Sequence, residues 1–170
     1  AVATGLGVLA KSALTYNSQM EQYYTSFTTL LGSEEKATAK VAELKTFAAK
    51  TPFEMTDLAN ATKTILGFGV AEDKASVAMK QLGDISQGNS ERFSSLALVY
   101  GQMASTGKLM GQDLLQMINA GFNPLTVIAE QTGTSIGDLK KVMSGEKTGK
   151  EFNTAVKAAQ KEVKTLGADA

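Results

Sequence analysis

Along the first thirty residues the apolar positions step alternately by three and four: Leu6, Leu9, Ala13, Tyr16, Met20, Tyr23, Phe27 and Leu30. That spacing returns to one stripe of an α-helix, and sustained over more than three heptads it is also the spacing of a coiled-coil seam. It predicts one long helix over residues 1–31, closed by Gly32, where a left-handed cap is easiest to make. The helix either docks on its own domain or forms the end of a coiled coil entering from upstream. A second seam closes the chain, with Phe152, Val156, Ala159, Val163 and Leu166 in steps of four and three, and Lys150, Lys157, Lys161 and Lys164 off the stripe. It predicts a heptad-patterned helix over residues 149–170.

Between the seams, capping signals cut residues 32–148 into shorter helices. Ser33 followed by Glu34 and Glu35 reads as an N-cap with acids that suit the helix dipole, and Ala37, Val41, Leu44 and Phe47 or Ala48 give that helix its inward face. In Thr51-Pro52-Phe53-Glu54 the threonine reads as an N-cap, the proline as the first helical residue and the glutamate as the partner in a capping box. The helix so started runs through Leu58, Ala61 and Ile65 to Gly67-Phe68-Gly69, a tight connection that would turn Phe68 back towards the core. Further helices are predicted from Glu72 to Ser86, through Phe93 to Met103, and over 111–120, 124–132 and 135–144. The last three are too short to be stable alone and must be held by packing. No stretch alternates as a strand would, and no repeat of fixed period is visible. The expected fold is all-α, a compact domain of about seven to nine helices flanked at both ends by longer heptad-patterned helices.

Composition narrows the chemistry. The chain has 170 residues, enough for one domain with a real core, and its 17 basic and 17 acidic residues leave no global field to draw it to nucleic acid or an anionic membrane. It has no Cys and no His, so disulfides, thiolate metal sites, His-dependent triads and most zinc chemistry are excluded, and no cofactor or metal is implied. The opening AVATGLGVLA lacks the basic leader and cleavage signature of a signal peptide and the length of a membrane span. Starting on Ala1 without an initiator Met, the sequence reads as an excerpt from a longer polypeptide. Its acids, including Glu34, Glu35, Glu72, Asp73 and Asp113, fall in first turns of helices and do not pair for hydrolysis, so no enzyme activity is expected. Gly83 sits inside a helical pattern, where glycine costs about 1 kcal/mol against Ala, and close packing of another helix is the expected reason. The glycines make no phosphate loop.

From Pro124 to Gly145 the pattern is that of two short helices joined at Gly133, with Ala129 before the turn and Ile136, Leu139 and Val142 after it, the spacing of a helix-turn-helix. A DNA-associated module would place Lys140 and Lys141 near phosphates. Against that reading, the second helix carries Asp138 and no Arg, Asn or Gln for base edges, and the whole chain has a single arginine, Arg92. A helix pair that simply packs is the simpler account.

Read in order, Thr51-Pro52-Phe53-Glu54, Ile65-Leu66-Gly67-Phe68-Gly69-Val70, Leu82-Gly83-Asp84-Ile85, Gly101-Gln102-Met103, Gly107-Lys108-Leu109 and Gly111-Gln112-Asp113-Leu114-Leu115-Gln116 resemble the tape measure domain of tailed-phage tape measure proteins. Asn119-Ala120-Gly121-Phe122, Pro124-Leu125 and the stretch from Gly133 to Gly145 continue the resemblance, which covers roughly residues 20–150. It implies a structural protein, lying in several copies inside the virion tail, whose length sets that of the tail tube and which leaves the tube at infection to help the genome across the envelope. It implies assembly in the host cytoplasm, self-association with other copies, and contacts with the tail tube, a tail assembly chaperone or the tail-tip initiator proteins. Enzymatic domains, where such proteins carry them, lie elsewhere in their length. The residues expected to carry packing or interaction are Thr51, Pro52, Phe53, Phe68, Gly83, Leu109, Met110, Phe122 and Pro124. Methionines such as Met103, Met110 and Met117 would give an adaptable contact surface.

Overall fold

The computed structural model describes residues 2–143, with side chains from residue 15 onward. The described residues form eight helices and no strand: α1 (Val2–Leu31), α2 (Glu34–Lys50), α3 (Met55–Gly67), α4 (Glu72–Ser86), α5 (Ser90–Thr106), α6 (Gly111–Asn119), α7 (Pro124–Thr132) and α8 (Ile136–Met143). The all-α expectation holds. The C-terminal seam at 149–170 lies outside the described residues. The described helices fall into two compact units divided between Ser105 and Thr106, α1 to α5 in the first and α6 to α8 in the second.

In the first unit, α1 and α2 form a hairpin across Gly32 and Ser33. Gly32 takes a φ of +67°, which a residue without Cβ adopts freely, and its N–H closes on the Thr28 carbonyl at 2.8 Å. Ser33 caps α2 by accepting from the Lys36 N–H at 3.3 Å. Met20, Tyr23 and Phe27 of the α1 seam are buried, as are Ala37, Val41 and Leu44 of α2. α3 packs on both helices, and the Tyr23 hydroxyl lies 3.0 Å from that of Thr56.

The connection between α2 and α3 differs from the sequence expectation. Thr51 does not cap α3. Its hydroxyl turns back to donate to the Phe47 carbonyl at 2.9 Å, and α3 begins only at Met55, with Glu54 before it. Two forces explain the shift. A residue preceding proline is driven out of the helical region, and Thr51 is extended (φ −134°, ψ 164°). Phe53 is then pulled inward, 4% exposed, to stack on Phe93 of α5 with ring centroids 4.6 Å apart. A capping box would have kept residue 53 within a first helical turn, and burial of the aromatic ring outweighs it.

Gly83 lies on α4 beneath this ring. A Cβ there would meet Phe47 Cζ at 3.2 Å and Phe53 Cε2 at 3.6 Å, so two aromatic side chains, rather than another helix backbone, occupy the space. Pro52 reaches the turn between α4 and α5, where Gly88 takes a φ of +81° and a Cβ would sit 2.8 Å from Pro52 Cγ. The segment 51–53 is therefore a plug seated against α4, α5 and their connection.

Phe68 closes the turn after α3, half-buried, against Gly101 of α5. A Cβ on Gly101 would stand 2.3 Å from Phe68 Cδ2 and 2.9 Å from Cγ. Rotation about χ2 leaves Cγ in place, so turning the ring on its own axis does not relieve the clash. We expect Gly101→Val to lower stability by about 2–3 kcal/mol, as overpacking does. Chemical denaturation measures it, and the same substitution in a Phe68→Ala background should cost much less. An equal cost in both backgrounds would remove Phe68 from the explanation.

In the second unit, Leu114 of α6, Leu125 of α7 and Leu139 of α8 form the core, with Leu109, Ile128, Ala129, Ile136 and Met143 packed against it. Asp113, 8% exposed, accepts from the Met110 N–H at 2.9 Å and so closes the first turn of α6. Asn123 caps α7 by accepting from the Leu125 N–H, with Pro124 at the first turn as expected. Gly133, at a φ of +65°, ends α7 and lets α8 turn back onto it.

Candidate interaction surfaces

The residues singled out in the sequence differ in burial. Phe53, Gly83 and Pro124 are buried, and Thr51, Phe68, Leu109 and Phe122 are half-buried. Pro52 and Met110 are exposed. Thr51, Pro52, Phe53 and Gly83 come together in the aromatic plug, Phe68 packs separately on Gly101, and Leu109 joins the leucine core of the second unit. Lys140 and Lys141 lie exposed in the last turn of α8, where cations suit the helix dipole.

Sequence reasoning missed two features. Lys40, on the inward face of α2, is 2% exposed. Its ammonium lies 2.6 Å from Glu43 Oε2 and 2.6 Å from Ser76 Oγ, with Glu72 Oε1 at 3.8 Å, so it ties α2 to α4. The signal was available. Ala37, Lys40, Val41 and Leu44 follow the three-and-four spacing of a buried stripe, and a lysine on such a stripe must find partners. The second feature is a set of exposed apolar side chains on the second unit: Leu115, Ile118 and Val127 are 55%, 40% and 41% exposed, and Met110 is 56% exposed. On α6, Leu115 and Ile118 stand three residues apart, on the flank beside the buried Leu114 and Met117.

Two hollows lie on the first unit. One of about 500 Å³ is lined by Tyr24, Thr25, Thr28 and Thr29 of α1 and by Glu34 and Thr38 of α2. The Thr29 hydroxyl is already committed to the Thr25 carbonyl at 3.0 Å. The other, about 290 Å³, is an apolar groove between α2 and α4 floored by Leu44, Phe47 and Met79 and rimmed by Lys50 and Lys80. Ser76 and Glu43 also line the groove, with the Ser76 hydroxyl 3.1 Å from Glu43 Oε2, but both are engaged by the Lys40 ammonium at 2.6 Å. Among the described residues no group of three acids could hold a metal ion, and no helix is long and apolar enough to cross a membrane.

The described residues thus present helical packing faces. Over residues 11–170 the sequence matches the family described as tape measure protein. The chain belongs to the tape measure protein family. That membership makes it a structural, helical component of the phage tail. No curated protein and no solved structure matches the chain. The tape measure match takes in both units, so the aromatic plug, the Lys40 cluster and the leucine core all belong to the matched region.

Proposed function

We propose that this tape measure chain takes part in setting the length of the tail tube during assembly, inside the tail, and leaves at infection to assist genome delivery. The observation that carries the reading is the family match across residues 11–170. A helix converts sequence into distance at about 1.5 Å per residue, so the 30 residues of α1 span about 45 Å. The two compact units are then a folded landmark on a helical ruler. The partner surface we assign is on α6, where the exposed Leu115 and Ile118 stand one turn apart, suited to a tail tube, assembly chaperone or tail-tip protein.

The test is made in a phage that encodes this chain. Ten added heptads of helical sequence ahead of α1 should lengthen the tail by about 105 Å, read by electron microscopy of purified particles. Unchanged tails in particles that carry the longer protein would overturn the reading.

A further inference from the structure

We propose that the groove between α2 and α4 binds a small anion carrying a single apolar chain, of the class of a medium-chain fatty acid. The proposal goes beyond the tail-length reading and does not rest on it.

The first observation is how the groove is closed. Side chains join α2 to α4 at two levels. Lys40, Glu43 and Ser76 bridge the helices at one level, and at the other Phe47 lies over Gly83, where a Cβ would come within 3.2 Å of its Cζ. The space beside these bridges is floored by Leu44 and Met79, each 2% exposed, and walled by the half-buried Phe47. Its volume of about 290 Å³ sits at the lower end of the roughly 300–1,000 Å³ of small-molecule sites. That is room for one unbranched chain. A helix of another protein, about 10–12 Å across, could only rest on the rim.

The second observation is the charge on the rim. Where Glu43 and Ser76 border the groove, both already accept from the Lys40 ammonium at 2.6 Å. Lys50 and Lys80 border it elsewhere, both exposed, and among the described residues no carboxylate lies within 4 Å of either ammonium. They fall on the groove faces of their helices, Lys50 three residues after Phe47 and Lys80 four after Ser76. Their methylene stems extend the apolar wall and their heads stay in water. An apolar floor beside two unpaired cations is complementary to an apolar chain with an anionic head. The paired acid at Glu43 sets the direction, since the head is drawn to the lysines and repelled from the carboxylate. A cationic head would meet two ammoniums, and a neutral one would leave both without a partner.

Titration calorimetry of the full 170-residue chain with decanoate, kept below its micelle concentration, tests this. One-to-one binding is expected, weaker at high salt because the ammoniums are open to solvent. Octanoate, shorter by two methylenes, should bind about tenfold more weakly. Decylamine, with the opposite charge on the same length of chain, should not bind. Lys50→Gln with Lys80→Gln should weaken decanoate about fivefold or more. Lys45→Gln with Lys74→Gln, at exposed lysines on the far sides of the same two helices, should leave its affinity unchanged. In methyl-labelled protein, decanoate should shift the Met79 resonance and leave that of Met117, in the second unit, in place. The proposal is overturned if decanoate does not bind, if decylamine binds as tightly, if both lysine pairs lose the same affinity, or if Met117 responds in place of Met79. It is equally overturned if a peptide with leucine between two aspartates displaces decanoate more effectively than octanoate does, which would give the groove to an acidic segment of another protein. Recruitment to phosphatidylglycerol vesicles that is lost with Lys50→Gln and Lys80→Gln would give it to a membrane lipid, with the same consequence.

Discussion

Phe93→Ala is expected to lower the stability of the first unit by about 3–5 kcal/mol, the range for truncating a fully buried phenylalanine. Phe93 is 0% exposed and stacks on Phe53 at 4.6 Å with the ring planes 28° apart. Phe53 in turn lies over Gly83, where Phe47 also packs. Removing the Phe93 ring thus opens a cavity at a point where α2, the 51–53 plug, α4 and α5 converge, and no small adjustment of one helix can refill it. The loss would consume a large part of the 5–15 kcal/mol typical of a folded domain. Urea denaturation followed by circular dichroism measures it. Phe53→Ala should cost nearly as much, and the double variant less than the two together, because each ring loses its partner in both single variants. A loss below about 1 kcal/mol for Phe93→Ala would mean that the convergence is held by other contacts.

That convergence marks the limit of what the sequence made legible. Helix boundaries were readable wherever one local signal acted alone. Ser33 caps α2, α4 runs from Glu72 to Ser86 as the pattern predicts, and Asn123 with Pro124 starts α7. Thr51-Pro52 carries the same kind of signal as Asn123-Pro124, yet only the second begins a helix. The difference is tertiary. Phe53 has a deep partner in Phe93, forty residues along the chain, and the stacking overrides a cap of about 1 kcal/mol. Nothing within a few residues of Pro52 encodes that partner.

The candidate surfaces were less legible than the fold, because glycine and apolar residues serve packing and contact alike. Gly83 and Gly101 look equivalent as helical glycines, and only the structure shows that one accommodates Phe47 and Phe53 and the other Phe68. Leu114 and Leu115 are neighbours in sequence, one 8% and the other 55% exposed. Helical periodicity separates their faces, but which face finds a core is decided by α7 and α8.

Lys40 leads to the second large effect, and its sign depends on which partner is removed. The Lys40 side chain is 3% exposed, whereas those of Glu43 and Glu72 are 36% and 31% exposed. Replacing both acids, as Glu43→Ala with Glu72→Ala, strands a buried ammonium with only the Ser76 hydroxyl as a partner. The expected loss is about 3 kcal/mol, towards the low end for a broken buried pair because water reaches the acids' side of the cluster. Lys40→Met reverses the situation. The two carboxylates are open enough to recover hydration, the Ser76 hydroxyl keeps its acceptors in Glu43 Oε2 at 3.1 Å and the Glu72 carbonyl at 3.2 Å, and a flexible apolar chain fills the stripe beside Val41 and Leu44. Its expected effect is within about 1 kcal/mol of zero, in either direction. Thermal denaturation of the two variants in parallel decides the matter. If Lys40→Met proved the more damaging, the ion cluster would be a net source of stability, whereas the expected order makes it a device that fixes how α2 and α4 align. Such a device costs little while all its members are present, and it penalises any slip between the helices that would part the lysine from its acids.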